Sequence, residues 1–283
     1  MSTTLRKNLS LNGREFSVLS SRGTGRPIVL IHGGAPNLGA IAHGAHFWEP
    51  SFRRLTDRSI VAPDLPGFGS SSTTDGEKPF IAHVDNVRAI MSELGIGGAH
   101  VIGYGSGGLA ALLLASKYPD LVDIVTCVAS AEAAPTGDGL EDLTLAYPPH
   151  PRWTSKSQKW ALERLAYSNL LAPGLLEGCV MAAQAQAYDD SESGITRAAA
   201  WQAALLDAKI SLFKILRESG IPAPVQLIWS ENDSQTSVAQ GVALYELIAA
   251  RQPNSHFQVI NRAGSFPFLE QDDAFWALVD SVS

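Results

Sequence analysis

Short apolar runs alternate along most of the chain with longer segments whose apolar residues recur at helical spacing. The short runs have strand length and are rich in β-branched residues, which predicts buried strands. They are Pro27–Ile31, Ile60–Ala62, Val122–Val128, Val225–Trp229 and His256–Ile260. The helical segments between them include Ile81–Leu94 and Val238–Arg251. This alternation predicts an α/β fold, with a mainly parallel sheet and helices on both of its faces.

The first residues follow a different pattern. Leu5–Leu11 and Glu15–Ser20 have strand character and are joined through Asn12 and Gly13. An Asn-Gly dipeptide between two strands is a strong hairpin signal. The sequence therefore predicts an antiparallel hairpin before the parallel part of the sheet.

The pattern changes again between about Glu132 and Gly220. Strand-like runs disappear, and Ala, Leu and polar residues recur at helical spacing in three segments. These are Lys156–Leu171, Gly174–Tyr188 and Gly194–Leu216. We interpret residues 132–219 as a helical cap subdomain, inserted into a core formed by residues 1–131 and 220–283.

A glycine-rich turn, Gly103–Gly108, lies between a strand-like run and the apolar segment Leu109–Ala115. This is the context in which a G-x-S-x-G turn, the nucleophile elbow, presents a serine at the end of a strand. With glycines at the close-packed positions of that frame, Gly105 occupies the serine position. Moving the frame by one residue makes Ser106 the nucleophile but places Tyr104 where strand and helix pass closely. We therefore expect an elbow centred on Gly105, with Ser106 as the alternative.

Four further segments resemble motifs of one family. His32–Pro36 resembles H-G-G-G-P, Asp64–Ser71 matches D-x-P-G-x-G-x-S, Ile228–Asp233 resembles a W-G-x-x-D strand end, and Ala263–Glu270 resembles A-G-H-F-P-x-x-E. Together with the elbow, they resemble the α/β-hydrolase fold. Within that fold, the resemblance is closest to the carbon–carbon bond hydrolases that act on ring-cleavage products of aromatic degradation. The resemblance covers nearly the whole chain.

The resemblance implies triad positions at Gly105, Asp233 and Ser265. A serine nucleophile works because a histidine takes its proton while a carboxylate orients the imidazole ring. Here the nucleophile and base positions hold Gly and Ser, and only the acid is present. We therefore expect a degenerate triad that does not carry out ordinary acyl transfer.

An oxyanion hole does not depend on those two side chains. The resemblance implies backbone donors at Ser106 and in the loop of Gly33 and Gly34. Such a hole polarises a carbonyl or stabilises an enolate. Tyr104 is a candidate hydroxyl donor beside the elbow, and packing is its alternative role.

Three groups are candidates for proton transfer. Asp233 has no histidine partner, and burial should raise its pKa; its alternative role is a silent carboxylate held by backbone amides. His43 and His46 follow the H-G motif in a long loop that borders the active site in this fold, so either is a candidate replacement base. Their alternative role is that of solvated loop residues.

Composition limits the class of partner. A net charge of −7 and a pI near 5.5 argue against nucleic acid or an anionic membrane surface. Cys127 and Cys179 give no disulfide framework or metal spacing, and we expect both to be buried as small apolar side chains. The amino-terminal residues contain no apolar run of the kind found in secretory signals. We expect a cytoplasmic protein without metal or organic cofactor, and a homodimer is allowed.

Three functional hypotheses stay open. The first is a non-hydrolytic enzyme (lyase, cyclase, isomerase or decarboxylase) acting on a small apolar carbonyl compound. The second is a true carbon–carbon bond or ester hydrolase studied as a disabled variant, in which the nucleophile and histidine were replaced by mutation. The third is a protein of this fold that binds a small ligand without catalysis.

Overall fold

A computed structural model describes residues 5–73, 79–135, 145, 147–168, 174–186, 188 and 191–282. An eight-stranded sheet with the order β1-β2-β4-β3-β5-β6-β7-β8 is its centre. The strands are β1 (Leu5–Leu11), β2 (Arg14–Ser21), β3 (Thr24–Ile31), β4 (Arg58–Pro63), β5 (Ala99–Tyr104), β6 (Val122–Val128), β7 (Val225–Ser230) and β8 (Ser255–Ile260). β2 pairs antiparallel with β1 and β4, and β3 to β8 are parallel. The predicted α/β-hydrolase fold, with its hairpin and mainly parallel sheet, is confirmed.

Helices connect the strands and occupy the predicted insertion. They are α1 (Glu49–Arg54), α2 (Pro79–Glu93), α3 (Ser106–Lys117), α4 (Ser155–Leu165), α5 (Leu175–Ala185), α6 (Glu192–Glu218), α7 (Val238–Ala249), α8 (Pro267–Glu270) and α9 (Asp272–Asp280). α4 ends before the predicted Lys156–Leu171 does, because Ala166 has an extended backbone. Residues 169–171 of that prediction lie outside the described part of the chain. Among helices in the described ranges, none combines the length and hydropathy needed to cross a lipid bilayer.

The two faces of the sheet bury separate apolar clusters. Alternate residues of a strand point to opposite faces, so Val29 and Val101 belong to one cluster while Leu30 and Ile102 belong to the other. α2, α3 and α7 contribute to the first cluster. The second contains the side chain of Tyr104, at the end of β5, with residues of α1, α4, α5 and α9. The carboxyl end of β5 therefore lies against a closely packed apolar environment.

α6 bridges the predicted insertion and the core. All of α6 lies within the predicted cap, yet Ala208, Leu212 and Leu216 are buried in the cluster formed by α2, α3 and the sheet. The α2 and α6 helices are in direct contact. The division into a cap at 132–219 and a two-part core stays a prediction, with one helix packed in both.

Candidate functional site

The turn between β5 and α3 has the backbone of a nucleophile elbow. Gly105 sits there with φ 55° and ψ −132°, a conformation that costs a residue with a Cβ about 1–3 kcal/mol. In the described residues outside its two chain neighbours, the atoms nearest to a Cβ added to Gly105 would be Gly33 Cα at 3.6 Å and the two Glu132 carboxylate oxygens at 4.0 Å. The space for a side chain is therefore present, and the backbone is of the kind that presents one.

Three neighbouring glycines fix the frame of this turn. A Cβ on Gly103 would lie 2.1 Å from the carbonyl oxygen of Gly107, and one on Gly107 would lie 2.5 Å from that of His32. A Cβ on Gly108 would lie 2.7 Å from Cys127 Sγ. Each distance is below van der Waals contact, so these positions require glycine. The close approach of strand and helix falls at Gly103, which favours the frame with Gly105 at the elbow.

Ser106 is the first residue of α3 and is buried. Its Oγ donates a hydrogen bond of 2.7 Å to the carbonyl oxygen of Gly34. The backbone N–H of a first helical residue has no partner within its own helix, so it is available to an anion. Ser106 thus connects the two segments expected to form the oxyanion hole, and its hydroxyl proton is directed at a carbonyl oxygen rather than at a base.

Tyr104 and His43 form a hydrogen-bonded pair beside this turn. The Tyr104 hydroxyl lies 2.8 Å from His43 Nδ1, and the His43 ring stacks on Phe47 with centroids 5.0 Å apart. A Cβ on Gly34 would come within 2.4 Å of His43 Cδ2. The imidazole therefore packs directly on the loop of Gly33 and Gly34, called the oxyanion loop below. Burial lowers the pKa of His43 to about 3 and raises that of Tyr104 well above its ordinary value. Both groups are uncharged near neutral pH.

His46 faces the predicted cap instead. Its Nε2 lies 3.5 Å from the Sγ of Cys179 on α5. Burial lowers the pKa of His46 well below its ordinary value and raises that of the Cys179 thiol. This contact is therefore between a neutral imidazole and a neutral thiol, and both predicted buried cysteines are indeed buried.

Asp233 and Ser265 meet at the carboxyl end of β7. Ser265 Oγ donates to Asp233 Oδ1 at 2.6 Å, and the backbone N–H of Gln235 donates to the same oxygen at 2.9 Å. Burial raises the pKa of Asp233 to about 6, against the effect of these two hydrogen bonds. The backbone N–H of Ser265 donates in turn to the carbonyl oxygen of Leu165 in α4. A hydroxyl thus takes the place expected for an imidazole.

Glu132 is a carboxyl group at the elbow that sequence reasoning missed. Its two oxygens lie 4.0 Å from the position of a Gly105 Cβ and are the nearest polar atoms to it in the described residues outside Tyr104, Gly105 and Ser106. Burial raises its pKa, while its own backbone N–H, Lys209 and the Ser130 hydroxyl oppose that rise. The signal was available, because Glu132 is the first charged residue after the buried strand β6. Ligand sites of α/β sheets lie at the carboxyl ends of such strands.

The structure therefore brings together most of the predicted site residues. Around the elbow are Gly33, Gly34, His43, Tyr104, Gly105 and Ser106, with Glu132 added. Asp233 and Ser265 form a second pair, and His46 belongs to the contact with α5. Within the described ranges, no three His, Cys, Asp or Glu side chains form a set able to hold a metal ion.

Comparison with known proteins agrees with this architecture. The model of the alpha/beta hydrolase family matches residues 28–278. An uncharacterized protein of Mycobacterium tuberculosis is 25% identical over 280 residues, which cover 91% of this chain and 75% of that protein. A 2-hydroxymuconate semialdehyde hydrolase of Pseudomonas putida is 34% identical over 125 residues, covering 44% of this chain and 43% of the hydrolase.

A solved structure has the same fold over the whole chain. It is the 2-hydroxy-6-oxo-6-phenylhexa-2,4-dienoate hydrolase from Rhodococcus sp. strain RHA1, with a TM-score of 0.76 at 20% identity, covering 100% of this chain and 99% of that one. The likeness that the sequence motifs carry to carbon–carbon bond hydrolases is confirmed in these comparisons.

Proposed function

The chain belongs to the alpha/beta hydrolase family, and we propose that it is an enzyme of that family that works without a serine nucleophile. Its substrate is a small apolar compound with a carbonyl group, and its reaction passes through an enolate or a related oxyanion. Enolisation, cyclisation, elimination, decarboxylation and carbon–carbon cleavage all fit, since each develops oxyanion charge without an acyl-enzyme. The similar hydrolases are named for a 2-hydroxy-6-oxo-6-phenylhexa-2,4-dienoate and a 2-hydroxymuconate semialdehyde, and both names support a substrate with a carbonyl group.

One observation carries the proposal: the elbow backbone is retained at Gly105 although the residue has no side chain. With the φ and ψ of this turn, a side chain on residue 105 would point towards Gly33 in the oxyanion loop. The N–H groups of Ser106 and Gly34 would stabilise the negative charge that develops on a nearby substrate carbonyl oxygen, which is the catalytic use of an oxyanion hole. Losing one such donor costs about 10²–10³ in rate in known cases.

Proton transfer completes the reaction. Asp233 has its pKa raised to about 6, close to the range in which a general acid or base works best. His43 and Tyr104 are the competing candidates, since their hydrogen-bonded pair packs on the oxyanion loop. General acid–base catalysis contributes about 10²–10⁴-fold, so removing the group that acts should lower the rate by that factor.

Ester hydrolysis tests the first half of the proposal. We expect no hydrolysis of p-nitrophenyl acetate above buffer. The double variant Gly105→Ser with Ser265→His should gain hydrolysis, because elbow and acid are in place; Ser265→His alone is the matched control. Since the new serine carries backbone strain, thermal melting must show that the double variant folds. Hydrolysis by the unaltered protein that disappears in Ser106→Ala would overturn the proposal.

Deuterium exchange tests the second half without knowledge of the substrate. Small ketones and 2-hydroxy-6-oxo-dienoates are incubated in D₂O, and loss of the α-proton signal is followed by NMR. We expect exchange above buffer with at least one compound, reduced about 10²-fold or more when the group that transfers the proton is replaced; Asp233→Asn is the first variant to test. A comparable loss in His43→Ala or His46→Ala, with Asp233→Asn nearly normal, would move the base to the loop.

A binding protein without catalysis is the second candidate. The apolar cluster around Tyr104 supports it, because side chains of α4 and α5 pack there against Phe47 and Phe266. The binding function would be favoured over the enzyme if a carbonyl compound bound saturably but showed no exchange of its α-protons. Its affinity should then be unchanged in Asp233→Asn, His43→Ala and His46→Ala.

A further inference from the structure

We infer that Glu132 is the group that exchanges a proton with the substrate bound at the Gly105 elbow. The inference rests on the proposed function and assigns a role to a carboxyl for which the family motifs of this chain provide no place. Glu132 then takes the place of Asp233 as the group that transfers the proton, so Asp233→Asn should keep most of its exchange rate. The Asp233 carboxyl, one oxygen of which accepts hydrogen bonds from Ser265 and Gln235, holds its own loop in place.

The space left by the missing side chain carries the inference. Both carboxylate oxygens of Glu132 lie 4.0 Å from the position of a Gly105 Cβ, and Gly33 Cα lies 3.6 Å from it; these are the nearest atoms in the described residues outside Tyr104, Gly105 and Ser106. A substrate atom that fills this space therefore meets the carboxyl on one side and the oxyanion loop on another. This is the juxtaposition that enolate formation needs.

The segment after β6 is held firmly against the elbow. Ser130 Oγ donates to the carbonyl oxygen of Gly105 at 2.6 Å, and the backbone N–H of Ala133 donates to that Oγ at 3.1 Å. Lys209 of α6 donates to the carbonyl oxygen of Ala131 at 3.0 Å. These bonds position Glu132 from both sides and bring a cation close to its carboxyl.

The surroundings suit a group that changes its charge during a reaction. Burial raises the pKa of Glu132, whereas Lys209 favours its ionised form. The neighbouring titratable groups, Tyr104 and Cys127, both have raised pKa values through burial and stay neutral. Glu132 is therefore the carboxyl of this set, and burial raises its pKa above the ordinary carboxyl value.

The proton transfer balances without a further reactant. The C–H bond next to the substrate carbonyl breaks, and its proton goes to a Glu132 carboxylate oxygen. The electron pair moves to the carbonyl oxygen at the N–H groups of Ser106 and Gly34. Glu132 then returns the proton to a substrate carbon as the carbonyl re-forms. In an elimination it gives the proton instead to the leaving group, whose bond to the β-carbon breaks as the enolate collapses to a carbonyl and a carbon–carbon double bond.

A cysteine probe tests the position of Glu132 independently of activity. In Gly105→Cys, the alkylation rate of the new thiol by iodoacetamide is followed against pH, with peptide mapping to separate it from Cys127 and Cys179. Adding Glu132→Gln should lower the thiol pKa and raise the rate at pH 7 about tenfold, because a nearby negative charge disfavours the thiolate. Glu246→Gln, on the exposed side of α7, is the control and should change nothing. An unchanged thiol pKa in the Glu132→Gln background overturns the inference.

Exchange of substrate α-protons in D₂O tests the role. Glu132→Gln should lose about 10²-fold or more in turnover while the KM changes little, and Glu132→Asp should recover part of the rate. Exchange that survives Glu132→Gln overturns this inference and leaves the proposed function standing. If the unaltered protein exchanges none of the carbonyl compounds tested, both this inference and the proposed function are overturned.

Discussion

The two sides of the site differ in what the fold requires of them. At the elbow, contacts of 2.1–2.7 Å would arise if Gly103, Gly107 or Gly108 carried a Cβ. At the Asp233 loop, the Ser265 hydroxyl occupies its position through one hydrogen bond of 2.6 Å to the carboxyl. The elbow is thus fixed by backbone packing. The loop of Asp233, called the acid loop below, is held by side-chain hydrogen bonds that other polar residues could replace.

This difference separates architecture from chemistry. The elbow backbone at Gly105 follows from the close packing of strand β5 on helix α3, which leaves no room for a Cβ on Gly103 or Gly107. The glycines of this motif therefore predict the fold, whichever residue stands at position 105. Function must be argued from the groups that surround the elbow.

The largest expected effect tests the packing of the elbow. Gly103→Ala should lower the free energy of unfolding by more than about 3 kcal/mol, since its Cβ would lie 2.1 Å from the Gly107 carbonyl oxygen and backbone must move. Gly97→Ala is the control, because a Cβ there has nothing within 4 Å, and it should be neutral or stabilising by less than about 1 kcal/mol. Chemical denaturation measures both. Equal effects would show that the elbow is not fixed by this contact.

The second prediction concerns the charge of Asp233. Its pKa in the folded state, about 6, exceeds the ordinary 3.8, so the folded protein holds a proton that the unfolded chain releases between these pH values. Stability should therefore fall as the pH rises through this window. Asp233→Asn can keep an oxygen acceptor for Ser265 and removes this dependence. Its stability relative to the unaltered protein should increase between pH 4 and pH 7, by up to about 3 kcal/mol.

Urea unfolding at a series of pH values measures this difference. Asp207→Asn, at an exposed position of α6, is the matched control and should show no such trend. If the stability difference between Asp233→Asn and the unaltered protein stayed constant across this pH range, burial would not raise the pKa of the carboxyl. Asp233 would then not be suited to proton transfer near neutral pH.

The same distinction explains what the sequence could predict. The sheet, the hairpin and most helices follow from local periodicity, and the elbow frame follows from the need for small residues at Gly103 and Gly107. The sequence marks Glu132 only as the start of the insertion. Its approach to Gly105 results from the pairing of strands β5 and β6, which no local pattern reveals. The Tyr104–His43 hydrogen bond likewise joins residues 61 positions apart, and no local pattern marks it.

The third prediction tests how the acid loop is held to the predicted cap. The Glu270 carboxylate accepts hydrogen bonds from the backbone N–H groups of Tyr167, Ser168, Gly264 and Phe266, at 2.7–3.3 Å. Glu270→Gln replaces one acceptor oxygen by a donor, so some of these N–H groups lose their partner. We expect a loss of about 2 kcal/mol in the free energy of unfolding.

Amide hydrogen exchange gives the local measurement. Exchange at residues 167, 168, 264 and 266 should become faster in Glu270→Gln and stay unchanged in Glu246→Gln, whose side chain is exposed. Protection that is retained at all four amides would show that other contacts, such as the Ser265 N–H to Leu165 bond, hold the loop in place.

The smallest expected effect concerns Ser106, the residue that the alternative frame makes the nucleophile. Its hydroxyl donates to the Gly34 carbonyl oxygen at 2.7 Å, so Ser106→Ala removes one buried hydrogen bond and should cost about 1 kcal/mol of stability. Deuterium exchange of the substrate should fall only a few-fold, since the backbone N–H of residue 106 is retained. Ser116→Ala, which removes a comparable hydroxyl-to-carbonyl bond of 2.8 Å elsewhere in α3, is the control. A rate loss of 10³-fold or more with normal folding would identify Ser106 as the nucleophile and shift the elbow by one residue, against the contacts that now place it at Gly105.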